Sequence, residues 1–320
     1  MKQQEGSMRR AILVSSILLL TAFAANADVI RKGFNVSEGG TLTLQADTGD
    51  VKIVSGGTGL AVEITREGTA EQLRENDITF DQSGNDVNIR SKYEHDRWFH
   101  WSRDPRIRYN VRVPAHFNVK LSTAGGDINV GDLTGNADIH TSGGDIKTAH
   151  INGNLYGRTS GGDVRVASAS GTMNVHTSGG DIEIENAGGA LEAKTSGGSI
   201  EVGRAASTLY AHSSGGSIRI REALDSIDAS TSGGSIHARL ARQPHGDSTL
   251  STSGGDVVVE LPSNVGAEVD AHSSGGDVDT DLPVTIMGHK AEDSLVGTIG
   301  GGGPKLLLRT SGGGISLRKG

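Results

Sequence analysis

The sequence contains no cysteine, six prolines and only 3% aromatic residues. Without cysteine there are no disulfides, no thiolate metal ligands and no lipid-modified cysteine anchor. Stability must then come from packing and hydrogen bonds alone. So few aromatic side chains, beside 48 glycines in 320 residues, disfavour a compact globule with a bulky centre. The chain is not disordered in composition either, because Val, Ile and Leu recur in a regular pattern. Extended repeat architectures have thin cores that small residues can fill.

Long apolar runs are missing too, except at the start. Arg9 and Arg10 form a basic n-region, Ala11 to Ala24 an apolar run, and Ala25-Asn26-Ala27 a small-x-small cleavage site. Residues 1–27 are therefore expected to be a signal peptide, with an uncleaved anchor as the alternative. The expected destination is outside the cytoplasm: the periplasm, the cell surface or the medium. Removing 1–27 takes away three basic residues and one acidic. That leaves 27 against 37 and a formal charge of −10. This balance argues against nucleic acid, whose binding needs a net basic footprint. No later segment is apolar enough to span a membrane as a helix.

What is abundant is one phrase. "HTSGGDI" occurs at 140–146 and again at 176–182, with "RTSGGDV" at 158–164 and "KTSGGSI" at 194–200. The first glycine of each copy falls at 125, 143, 161, 179, 197, 215 and 233, then 254, 275 and 312. Six steps of 18 are followed by 21, 21 and 37, so a degenerate coil is expected between Asp281 and Leu306. Aligned on that glycine, Val119, Ala137, Leu155, Met173, Leu191, Leu209 and Ile227 form one apolar column. Ile128, Ile146, Val164, Ile182, Ile200, Ile218 and Ile236 form another. Apolar positions two apart indicate two short strands per repeat, joined at a Gly-Gly corner. The corner is expected to use the freedom of glycine at positive φ. Such a strand pair buries its apolar face only by stacking on further copies about 4.8 Å apart. The expected fold is all-β: a single-stranded parallel β-solenoid (β-helix) of about 18 residues per coil over 119–320. Residues 28–118 are expected to be an irregular β-rich N-terminal cap with one coil-like segment, "LTLQADTGDVKI" at 42–53, in one continuous domain with the solenoid.

The Thr/Ser column before the corner (Thr141, Thr159, Thr177, Thr195, Ser213) is expected to point inward and satisfy corner amides and carbonyls. The Asp/Ser column after it reads Asp127, Asp145, Asp163, Asp181, Ser199, Ser217 and Ser235. One Asp per coil supplies too few oxygens for Ca²⁺, which takes six to eight, so a turn cap is expected. Repeated serines without a base and an orienting partner do not make a nucleophile.

The outward column three residues before the glycine carries His140, Arg158, His176, Lys194 and His212 in successive coils. Its plain reading is a solvated face offset by neighbouring acids. Its functional reading is a docking stripe for a linear anionic ligand such as a polysaccharide, tighter at mildly acid pH. Alternation with Arg and Lys separates these histidines too far to share zinc. The stretch 91–109, "SKYEHDRWFHWSRDPRIRY", holds Tyr93, His95, Trp98, Phe99, His100 and Trp101. It reads either as a plug on the open solenoid end or as a recognition loop. No cofactor or metal is expected. "IGGGG" at 299–303 lacks the Lys-Ser/Thr of a phosphate loop.

"YNVRVPAHFNVKLSTAGGDINVGDLTGNADIHTSGGDI", with "ADTGDVKI" and "VGTIGGGGPKLLLRTSGGGISL", resembles the bacterial putative-adhesin β-strand-repeat family, exported domains of unknown function. The resemblance covers nearly the whole chain after residue 27. It implies an exported, single-domain, right-handed β-solenoid at the cell envelope and carries over no catalytic residue. The leading expectation is a non-enzymatic envelope scaffold that binds glycans or an envelope protein. The alternative is a polysaccharide lyase or hydrolase on a β-helix, which needs clustered carboxylates that the columns do not show. Ice binding ranks last, because the Thr column points inward.

Overall fold

The computed structural model describes residues 26–93, 105–287 and 291–320. The signal-peptide reading therefore lies outside the described residues, apart from the backbone of Asn26 and Ala27 at the start of strand Asn26–Phe34. Two 15-stranded sheets face each other. In one, here the entry sheet, each strand precedes the Gly-Gly corner. In the other, the exit sheet, each follows it. Ala137, Leu155, Met173, Leu191, Leu209 and Ile227 pair in parallel register up the entry sheet. Ile146, Val164, Ile182, Ile200, Ile218 and Ile236 do the same up the exit sheet. Both columns are buried, and the residues between them point outward. The 18-residue step is thus one turn of a solenoid, as the sequence period requires.

The corner departs from expectation in its physics. None of its regular Gly-Gly pairs has positive φ; in the coil at 42–53 the corner glycine, Gly49, does. The second glycine of each pair is needed for a different reason. A Cβ on Gly144, Gly162 or Gly180 would overlap the carbonyl oxygen of the equivalent glycine one coil earlier. Glycine is demanded here by close backbone approach, not by a left-handed turn.

Side-chain ladders complete the stack. Thr141 Oγ1 donates to Gly126 O (2.9 Å) in the preceding coil and accepts from Gly144 N (3.3 Å) in its own. Thr159, Thr177, Thr195 and Ser213 repeat both bonds. The Asp column is not a cap of its own turn. Asp127 Oδ1 accepts from Asp145 N, Asp145 from Asp163 N, Asp163 from Asp181 N, and Asp181 from Ser199 N, at 2.7–2.9 Å. Each carboxylate therefore binds the coil above, and Ser199 and Ser217 continue the ladder with their hydroxyls. At the opposite end of the entry strands, Asn118, Asn136 and Asn154 form a further ladder of the same kind.

Both ends are threaded out of order. Strands Asp86–Tyr93 and Arg106–Pro114 form a full coil, which stacks in parallel on Thr41–Ala46 and Asp50–Gly57. The N-terminal part thus holds two coils, where one was expected. The strand Leu60–Gly68 covers this end antiparallel, with Asn26–Phe34 outside it, and Asn76–Ser83 covers the entry sheet. The helix Ala70–Arg74, started by a Thr69/Gln72 capping box, joins these covers. At the other end, the described residues of 281–304 form no degenerate coil. Strands Val284–Ile286 and Ser294–Ile299 form an antiparallel hairpin on Ala267–Ser273. The closing strands Lys305–Thr310 and Ile315–Lys319, last in the chain, are not last in the stack. They lie between the coil at 248–261 and the coil at 267–280.

Candidate functional site

Alternation along each entry strand sends two columns outward. One is the stripe His140, Arg158, His176, Lys194, His212, in continuous register from coil to coil. The other, two residues earlier, is Asp138, Tyr156, Asn174, Glu192, Tyr210, Asp228, in the same register. The structure therefore brings together the five stripe residues picked from the sequence.

The stripe is not a row of free cations. His140 Nε2 lies 2.8 Å from Asp138 Oδ1, and His212 Nδ1 lies 2.6 Å from Ser230 Oγ. Lys194 bonds Glu192, and this hydrogen bond holds its ammonium above the usual lysine range. Glu192 accepts a second bond from Asn174 Nδ2 at 2.5 Å. The Lys194 ammonium also sits 4.8 Å from the Tyr210 ring centroid, within cation–π reach. Asn174, Glu192, Lys194 and Tyr210 are thus one connected network. His176 is held below the ordinary histidine range by partial desolvation and by the charges of Arg158 and Lys194 on either side.

Beside the second outward column runs a trough. One groove of about 590 Å³ is walled by Tyr156, Asn174, Glu192 and Tyr210 and closed by Asp228 and Asp247. Another of about 390 Å³ runs from Thr41 past Asn118, Lys120 and Asn136 to Tyr156. The two meet at Tyr156. Together they follow the solenoid axis from the coil that begins at Thr41 to the coil that begins at Ser248. That is eight coil steps, or roughly 38 Å at about 4.8 Å per step. Tyr156 is 54% exposed and Tyr210 36%, so both rings stand open to solvent. The insertion after Leu240 has a place here, because its Asp247 closes the trough. Neither the trough nor its Asn ladder was read from the sequence. The recurring Asn118, Asn136 and Asn154, seven residues before each glycine, were the available signal.

The aromatic stretch is mostly out of view. His95, Trp98, Phe99, His100 and Trp101 lie outside the described residues. Tyr93 is half-buried and packs against the core at the N-terminal end, and its amide donates to Asp47 Oδ2 at 2.9 Å. Among the described residues no group of three or more His, Cys, Asp or Glu side chains is placed to hold a metal ion. No helix among them is long and apolar enough to cross a membrane.

No curated protein matches the chain. Among solved structures it is similar to a "putative adhesin" from Bacteroides fragilis, at 13% identity and a TM-score of 0.41, covering 91% of this chain and 97% of that one. It is also similar to a "putative cell adhesion protein" from Clostridium sporogenes, at 10% identity and a TM-score of 0.23, covering 92% and 100%. A "putative lipid binding protein" from Parabacteroides distasonis shows 15% identity and a TM-score of 0.38, covering 73% and 95%. The Toastrack DUF4097 family matches residues 40–225 and, overlapping them, 212–318. With nearly all of the solenoid inside those two matches, the chain belongs to the Toastrack DUF4097 family.

Proposed function

We propose that this protein is a non-enzymatic, exported binding scaffold of the cell envelope whose trough holds a linear glycan along the solenoid axis. The supporting observation is the trough itself: it runs along the solenoid axis, is lined by apolar and polar side chains together, and is walled by two open tyrosine rings three coils apart. Exposed aromatic faces stack on sugar rings, and the amides and carboxylates between them supply hydrogen bonds. The stripe of Arg158, His176, Lys194 and His212 runs two residues away and faces any anionic substituent the glycan carries. Catalysis is the weaker reading. Glu192, Asp228 and Asp247 are open to water, and Glu192 is tied to Asn174 and Lys194. A general acid for glycoside cleavage needs a secluded carboxyl.

The test is titration of the chain from Asp28 onward with linear glycans, anionic and neutral, by calorimetry. Tyr156→Ala with Tyr210→Ala is expected to weaken binding at least tenfold with the melting temperature unchanged. Equal affinity for the double variant would refute the trough. Release of shortened glycan would refute the non-enzymatic reading. Anionic glycans are expected to bind more tightly as pH falls, and His176 contributes only below the ordinary histidine range.

A further inference from the structure

The C-terminal coil fills a slot that its own chain leaves open. After the coil at 248–261 the chain skips one level and builds the coil at 267–280, two steps or roughly 10 Å further along. The hairpin Val284–Ile286 with Ser294–Ile299 follows, and only then do residues 305–320 enter the gap. Leu306 and Leu308 pair with Ser248 and Leu250 on one side, and with Val269 and Ala271 on the other. Ile315 pairs with Val257 and with Val278. Leu306, Leu308, Ile315 and Leu317 are all buried. The ladders cross both faces of the slot. Thr310 Oγ1 donates to Gly255 O, and Ser273 Oγ to Gly313 O, each at 2.7 Å. Gly314 N donates to Asp256 Oδ1 and Lys319 N to Asp281 Oδ1, each at 2.8 Å.

The tether into the slot is a hinge. Gly300, Gly301 and Gly302 have φ of 58°, 87° and 90°, a run of left-handed residues that glycine adopts without strain. A Cβ on Gly301 would meet nothing within 4 Å, so the middle of the hinge is unpacked. The slot is therefore specific for one segment, and that segment hangs on a glycine link that can take another path without steric strain.

We propose that residues 305–320 are an exchangeable coil, which a second copy of this chain supplies to the same slot, so that two copies join by reciprocal exchange. Every buried contact and ladder bond of the slot is kept in the exchanged pair. Only the hinge path differs, so protein concentration during folding sets the balance between the two forms. A foreign strand fits poorly, because the slot demands the apolar columns and a second glycine at the corner on both faces.

The absence of cysteine makes the test clean. Ser251 and Arg309 are register partners across the slot, both partly exposed. A Ser251→Cys chain and an Arg309→Cys chain are unfolded, mixed, refolded together over a hundredfold range of concentration, and oxidised. Exchange alone brings the two thiols into disulfide range. The control mixes Ser122→Cys with His140→Cys, register partners on neighbouring entry strands of successive coils. The expected result is a mixed disulfide at least tenfold above the control, rising with concentration, and rising further when Gly301 and Gly302 are deleted to shorten the hinge. A yield equal to the control, or no mixed disulfide at any concentration, overturns the proposal.

Discussion

The two glycines of one corner should respond to alanine in opposite directions. On Gly161 a new methyl group meets its nearest atom, Gly143 O, at 3.7 Å, an ordinary contact. On Gly162 the methyl overlaps Gly144 O and lies 2.5 Å from Gly144 C and 2.7 Å from Asp145 Oδ1. The two Gly144 atoms are backbone of a coil fixed from above and below, and the Asp145 carboxylate is held by its ladder bond, so the coils must part. Parting them here strains two bonds: Thr159 Oγ1 to Gly144 O and Asp163 N to Asp145 Oδ1, each 2.8 Å. Overpacking of this kind costs about 1–3 kcal/mol. Each weakened hydrogen bond adds about 1 kcal/mol. Gly162→Ala should therefore destabilise by about 3–5 kcal/mol. Gly161→Ala, at a φ alanine accepts, should be neutral or stabilising by up to about 1 kcal/mol, through the lower entropy of the unfolded chain.

The assay is the shift in urea midpoint of each variant, with hydrogen exchange on the flanking coils to locate any loosening. A second comparison sharpens it. The space over the first glycine shrinks along the stack, from 3.8 Å at Gly143 to 3.4 Å at Gly179 and 2.8 Å at Gly233. Gly143→Ala should be tolerated and Gly233→Ala should not. Equal losses at Gly161 and Gly162 would show that the pair serves a backbone conformation, and the close-approach argument would fail.

Gly157 interrupts an apolar column, and a Cβ there would lie 3.5 Å from Val175 Cγ1. Gly157→Ala should raise stability by about 0.5–1 kcal/mol, read from the thermal midpoint. Thr177 donates to Gly162 O at 2.8 Å and accepts from Gly180 N at 3.2 Å. Thr177→Val should cost about 2–3 kcal/mol by leaving both groups unpaired, while Thr177→Ser should keep most of the stability, as Ser213 does in its own coil. If valine and serine destabilise equally, the ladder contributes nothing. His176 has a folded pKa below its unfolded value, so its contribution is intact above the ordinary histidine pKa and is lost as pH falls through the folded value. His176→Gln should therefore lose less stability than the wild type between pH 7 and pH 5. A steeper loss in the variant would reverse the sign.

The regular coils were legible because every one has the same surroundings. A buried position in a solenoid touches its own copies above and below, so one requirement repeats at every 18th residue. That is why Leu155, Met173 and Leu191 could be placed inside, and Thr159 and Thr177 assigned to the corner, from spacing alone. The ends were not legible for the converse reason. Val87 and Ile89 stack on Leu42 and Leu44, yet 45 residues separate these partners, so no period joins them. Leu306 to Leu317 keep the repeat pattern, yet their place in the stack could not be read, because a column pattern records what a strand packs on and not when the chain arrives there. The corner glycines were placed correctly but explained wrongly, since close approach and positive φ leave the same residue in the sequence. The trough was missed because Asn118, Asn136 and Asn154, which recur seven residues before the glycine, lie outside the apolar columns that set the alignment.

The distribution of tyrosine bears on what the outward face is for. The chain has four. Tyr109 is fully buried and Tyr93 half-buried at the N-terminal end, where the coil at 86–114 meets its cover and bulk is needed. Neither need exists at Tyr156 or Tyr210. Their column is occupied elsewhere by Lys120, Asp138, Asn174, Glu192 and Asp228, all compatible with stacking and better for solubility. Nothing in the stack calls for a ring at either position. The two that are present stand on one line, at the wall of one trough, with Lys194 steadying the second from beneath the network of Glu192 and Asn174. Core columns repeat because packing makes them repeat. Where an outward column breaks its polar habit twice, in register and beside the same groove, packing supplies no reason, and that is the ground on which the ligand contact is proposed.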